Sequence, residues 1–190
     1  MWYPKRMHKR HLCGFAITAA LWALPSIGWA MAPEQAYALL RHQQPVFSPG
    51  FSSAPHDEAA YLAQFFAIID QAVVQRVELM TWLAGKGQSD EPFDRYDDLL
   101  FQLKSLQAPA RLREVQALTR EAVEEQRDVI REWRRQPQIF VWELAAKDPR
   151  VASSSLKLHQ AFNRVITLYP TEHEKNRQAF YDFFCCLDFL

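Results

Sequence analysis

Between residues 57 and 190 every proline stands between, and none within, stretches whose apolar residues recur at steps of three and four. Pro92, Pro109, Pro137, Pro149 and Pro170 are the five positions. A proline inside a helix removes a backbone hydrogen bond and clashes with the preceding turn, whereas the first helical position accepts it. Gly50, Gly85 and Gly87 are the only glycines after residue 30, few for a fold built on tight hairpins that call for positive φ. Such a chain is expected to be all-α.

The periodicity places the helices. From Asp57 to Ala84, Leu62, Phe66, Ile69, Val73, Val77, Met80 and Leu83 make one stripe, which Phe65, Ile68 and Ala72 widen, so this is expected to be the most buried helix. A second helix is predicted from Pro92 to Gln107, capped by Ser89 or Asp90, with Phe93, Tyr96, Leu100 and Leu103 inward. The third is predicted from Pro109 to Arg135, with Leu112, Val115, Leu118, Ala122, Val129 or Ile130, and Trp133 inward. Ile139 to Ala146 reads as one or two helical turns packed across an end. Asp148 is the expected cap of a helix that opens on Pro149, ends at Leu168 and buries Val151, Leu158, Phe162 and Val165. Thr171 and Glu174 have the spacing of a capping box for a last helix that buries Phe180, Phe184 and Leu187, with Asp188 facing out. Short connections between amphipathic helices favour an antiparallel bundle, here of four to five main helices over residues 57–190. Residues 31–56 form an irregular N-terminal strap, with a candidate short helix at Glu34–His42 and with Phe47 and Phe51 as its anchors.

Residues 1–30 read as an address. Lys5, Arg6, Lys9 and Arg10 precede an apolar run from Leu12 to Leu24, Pro25 breaks it, and Gly28 and Ala30 supply the small side chains that a signal peptidase needs. A cleavable signal peptide cut after Ala30 is the expectation, with a periplasmic or secreted product. The run is short and proline-broken for a bilayer span of roughly 20 residues, so no stable membrane insertion is expected after cleavage. Cys13 belongs to the apolar run. Cleavage would leave 18 basic against 22 acidic residues, a net charge of −4. A mildly acidic chain has no electrostatic attraction for nucleic acid or anionic membrane.

Common chemistries leave signatures that this sequence lacks. There is no Cys-x-x-Cys-His, no Glu-x-x-His pair, no His-Glu-x-x-His, no phosphate-binding glycine loop and no Gly-x-Ser-x-Gly. No catalytic motif is found, no enzyme is predicted and no cofactor is predicted. Ser153, Ser154 and Ser155 lie near His159, but a serine nucleophile needs a base that a third group orients. The histidines beyond residue 30 are His42, His56, His159 and His173. His159, beside Leu158 and expected at the core edge, and His173, expected in the first turn of the last helix, are the candidates should a metal or haem be held. The charges from Glu121 to Arg135 alternate in sign as on a solvated helix face, although Arg131, Arg134 and Arg135 could meet an anion.

Gln126 falls on the inner stripe between Ala122 and Ile130 and must find hydrogen-bond partners there. With His159 and Trp133 it is a ligand-pocket candidate. Tyr61, Phe65, Trp82, Trp133 and Trp142 line either a groove or the core. Cys185 and Cys186 are disulfide candidates, either with each other or with a second chain; as buried thiols they would act as small hydrophobes. Adjacent helical residues point about 100° apart, so a bond between the two would require non-helical backbone. The functional expectation is a binding or interaction module of the cell envelope, its partner an envelope protein or small ligand. The alternative is a carrier of a small ligand, haem or metal ion in a bundle pocket.

Overall fold

A computed structural model describes residues 46–84, 91–135 and 147–188. The regular elements among these residues are a 3₁₀ turn at Pro49–Phe51 and five helices: α1 (His56–Ala84), α2 (Glu91–Ser105), α3 (Arg113–Arg135), α4 (Pro149–Leu168) and α5 (Glu174–Leu187). The described residues form an all-α bundle in which each helix packs on its chain neighbours and α5 returns to α1. Residues 1–30, the Glu34–His42 segment, the residue 89–90 cap, the Ile139–Ala146 piece and the side chains of Trp82 and Trp142 lie outside the described residues.

Side-chain pairs give the directions. Arg150 meets Glu132 at 2.8 Å, Lys157 meets Glu125 at 2.5 Å, and Arg164 meets Glu114 at 2.8 Å, so α3 and α4 run antiparallel. Between α2 and α3, Arg127 and Arg131 grip Asp97 at 3.0 and 2.5 Å, Lys104 reaches Glu124 at 2.9 Å, and Gln116 Nε2 donates to the carbonyls of Leu103 and Leu106 at 2.6 Å. That pair is antiparallel too. Between α1 and α5 the order is the same along both helices: Phe66 lies against Phe180, Phe183 and Phe184, and Arg76 against the last residues of α5. These two helices are parallel. Solvated ion pairs are worth at most about 1 kcal/mol each, so the ladders set register and the apolar core supplies the stability.

That core is one cluster drawn from all five helices and the strap, centred on aromatic rings. Phe66 sits within 6 Å, centroid to centroid, of Phe47, Phe65, Phe180, Phe183 and Phe184. Phe47 is buried between Phe66 and Phe180 and anchors the strap, as its sequence position suggests. Phe51 does not: it is 61% exposed and stacks on His173 at 5.5 Å. Tyr61 and Phe65 are core residues.

Two helix starts differ from expectation and one agrees. Helix α3 starts at Arg113, because Pro109 to Leu112 closes a separate turn through Leu112 N–H to Pro109 C=O at 2.8 Å. Asp148 caps α4 as anticipated, accepting from Arg150 N–H at 2.9 Å. The cap of α5 is His173, not Thr171: Nδ1 of His173 accepts from Lys175 N–H at 3.2 Å. The intervening Glu172 turns inward to hold the strap, and the helix opens only after it.

Candidate functional site

Helix C-termini leave carbonyl oxygens without intrahelical partners. At the end of α5 these oxygens point into the bundle, and side chains of two other helices meet them. Gln126, buried on α3, donates from Nε2 to the Leu187 carbonyl at 2.8 Å, while its Oε1 accepts from the Tyr96 hydroxyl of α2 at 3.3 Å. Arg76 of α1 donates from Nη1 to the Asp188 carbonyl at 2.6 Å and from Nη2 to that of Cys186. The backbone N–H of Asp188 closes the turn onto the carbonyls of Phe184 and Cys185.

Burial governs the electrostatics of this cluster. It pushes the Tyr96 phenol well above its ordinary range against the pull of Arg76 and Arg127, so the hydroxyl keeps its proton and donates. Burial also draws Arg76 down, while Tyr96, Cys186, Asp188 and Cys185 oppose that shift. Arg76 continues the inward stripe of α1 at three residues beyond Val73, a spacing that could have singled it out.

Asp188, expected outside, is only 7% exposed at its side chain. Its Oδ2 accepts from Ser155 Oγ of α4 at 2.8 Å and lies 3.8 Å from His159 Nδ1. Serine, histidine and aspartate therefore meet, but not as a relay. In a serine hydrolase one imidazole nitrogen faces the serine and the other the acid. Here Nδ1 faces both and also lies 2.9 Å from the Ser155 carbonyl, while Ser155 Oγ gives its hydrogen bond to Asp188. The arrangement ties α5 to α4.

The pocket candidates do not converge. Gln126 is interior, Trp133 packs partly buried on the core, and His159 is 67% exposed at its side chain rather than at a core edge. His173 caps the opposite end of α5, about 20 Å away along a helix rising 1.5 Å per residue. Among the described residues no group of three or more His, Cys, Asp or Glu is placed to hold a metal ion, and no helix is long and apolar enough to cross a membrane. Arg131 and Arg134 both lie over the Phe93 ring, and Arg131 is paired with Asp97. Cys185 and Cys186 stand as half-buried thiols in helical backbone.

A second polar cluster, which the sequence reading missed, lies at the other end of the bundle. Buried Glu172 accepts from Ser52 Oγ at 2.7 Å, Ser53 N–H at 3.1 Å, Asn176 Nδ2 at 3.0 Å and its neighbour's backbone, His173 N–H, at 3.0 Å. Asn176 in turn exchanges two bonds with the backbone of Ser48. Beside them Tyr169 donates to Glu58 at 2.8 Å, and Arg111 reaches both Glu58 and the Leu168 carbonyl at 3.2 Å. Burial first, then the bond to Glu58, pushes the Tyr169 phenol up.

Comparison with protein-family models, curated proteins and solved structures finds no match to this chain.

Proposed function

We propose that this chain is an exported, periplasmic or secreted helical-bundle protein that acts as a binding or interaction module of the cell envelope. One observation carries the choice between this reading and a carrier of a small ligand. The side chains that would have to line a carrier pocket are dispersed: Gln126 is committed to Leu187 and Tyr96, His159 faces outward, and His173 is at the far end of α5. The basic, apolar and small-residue order of residues 1–30 supports export. On its outer surface the bundle offers Phe101 of α2, 71% exposed, and Leu156 of α4, 58% exposed, as apolar contact points.

The test is mass spectrometry on the full chain produced in a Gram-negative host. The reading expects a periplasmic product whose denaturing mass begins at Met31 and whose native mass is that of bare polypeptide. It also expects a photoreactive residue at position 101 or 156 to crosslink one envelope protein, and Phe101→Asp or Leu156→Asp to weaken that capture. An uncut chain held in the cytoplasm overturns export. Extra native mass that vanishes on denaturation overturns the interaction reading in favour of a carrier.

A further inference from the structure

Cys185 and Cys186 occupy the last turn of α5, and both are half-buried. While that turn is helical their side chains diverge by about 100°, too far for a bond between them. A disulfide between chain neighbours needs non-helical backbone, so the helical turn and the disulfide exclude one another. The same turn is the one that buried side chains hold: Arg76 binds the carbonyls of Cys186 and Asp188, Gln126 binds that of Leu187, and Ser155 binds the Asp188 carboxylate. Both sulfurs lie within electrostatic reach of the Arg76 guanidinium.

We propose that Cys185 and Cys186 are a redox modification site, a vicinal dithiol that a small disulfide oxidant converts to a disulfide, unlatching the end of α5 from Arg76 and Gln126. One thiolate attacks a sulfur of the oxidant and expels the first leaving thiolate, giving a mixed disulfide. The second cysteine loses its proton, attacks the protein sulfur of that mixed disulfide and expels the other leaving thiolate. The two cysteine sulfurs are oxidised by two electrons in all. The oxidant is reduced to two thiols, which take up the two protons. Because latch and disulfide compete, whatever weakens the latch eases oxidation, and oxidation weakens the latch in return. The inference does not depend on the proposed export or on a partner.

The experiment equilibrates the full chain in reduced and oxidised glutathione at stepped ratios, traps thiols by alkylation, maps the disulfide by peptide mass and follows Tm. The expected product has lost two hydrogens and carries a Cys185–Cys186 bond, with a Tm lower by roughly 5 °C or more, as loss of buried cap bonds requires. Gln126→Leu should reach half-oxidation at a several-fold lower proportion of oxidised glutathione. Cys186→Ser, which keeps the helix, should show no intrachain bond and no oxidant-dependent loss of Tm. The proposal is overturned if both cysteines stay alkylatable throughout, if the bond goes to Cys13 or to a second chain, or if the Cys185–Cys186 disulfide leaves Tm unchanged.

Discussion

The amide of Gln126, in the middle of α3, donates to the carbonyl oxygen of Leu187, the last residue of α5, at 2.8 Å. One side chain thereby satisfies a helix end contributed by another part of the bundle, at a depth where water does not compete. The Tyr96 hydroxyl completes the amide by donating to its oxygen at 3.3 Å.

Gln126→Leu keeps the volume but leaves the Leu187 carbonyl and the Tyr96 hydroxyl buried without this partner. A buried polar group stripped of its bond costs about 1–3 kcal/mol. The expected loss is about 2–3 kcal/mol in urea unfolding at unchanged m-value. Tyr96→Phe removes only the longer bond and should cost about 1 kcal/mol. The double variant should lose less than the sum of the two, since both act on one network. Strict additivity would show that the two bonds are independent.

The helices were legible because their information is local. Prolines and the three-and-four spacing mark out α2, α4 and α5, and Asp148-Pro149 announces the start of α4. Burial of Gln126 follows from its place between Ala122 and Ile130. What could not be read was non-local. Asp188 turns inward because Ser155 of α4 is there to meet it. Glu172 is buried because the strap brings Ser52 and Ser53 to it, and that same contact delays α5 past the Thr171 box. A sequence period shows which residues face inward on one helix. It does not show where a second helix ends and needs a donor.

Phe66 is touched by five other rings, while Phe101 projects into solvent. Phe66→Ala opens a cavity that rings from α1, α5 and the strap must share, with an expected cost of about 3–5 kcal/mol. Phe101→Ala should change stability by less than about 0.5 kcal/mol. Urea unfolding followed by near-ultraviolet circular dichroism checks both. Equal costs at the two sites would contradict the packing described.

Two carboxylates set opposite pH dependences. Asp148 is held below the usual carboxylate range, chiefly by its hydrogen bond to the Arg150 side chain. Its folded form binds fewer protons than its unfolded form between the two pKa values, so its contribution is full above the unfolded value and is lost as pH falls through the folded one. Asp182 is pushed up by burial, against the hydrogen bond from Gln178. There the folded form binds more protons, so ionisation costs stability as pH rises through the raised value. Asp148→Asn should therefore destabilise at neutral pH and become neutral in strong acid. Asp182→Asn should stabilise at neutral pH, with the gain fading as pH falls through the raised folded value and absent below the unfolded carboxylate value. Unfolding free energies from pH 2 to pH 7 decide the matter (the window spans both unfolded carboxylates), and two difference curves of the same sign would refute the assignment.

Glu172 joins the strap to α5 through bonds from Ser52, Ser53, Asn176 and His173. Phe47 adds the apolar contact on Phe66 and Phe180. The two act at neighbouring points of the strap but by different physics. Bonds to a carboxylate are worth about 1.5–3 kcal/mol each at most, and removing their common acceptor strands several donors at once. Glu172→Ala is therefore expected to cost about 3 kcal/mol and to open residues 48–55 to protease while the helices stay intact. Glu172→Gln keeps one acceptor oxygen and should lose less, with cleavage slower than in the alanine variant. Phe47→Ala should cost about 3–5 kcal/mol as a core truncation. Limited proteolysis with fragment masses, run beside circular dichroism, separates local release from global unfolding. If Glu172→Ala is cleaved no faster in the strap than the parent chain, Phe47 and the Asn176–Ser48 bonds hold the strap and the carboxylate clamp is not what secures it.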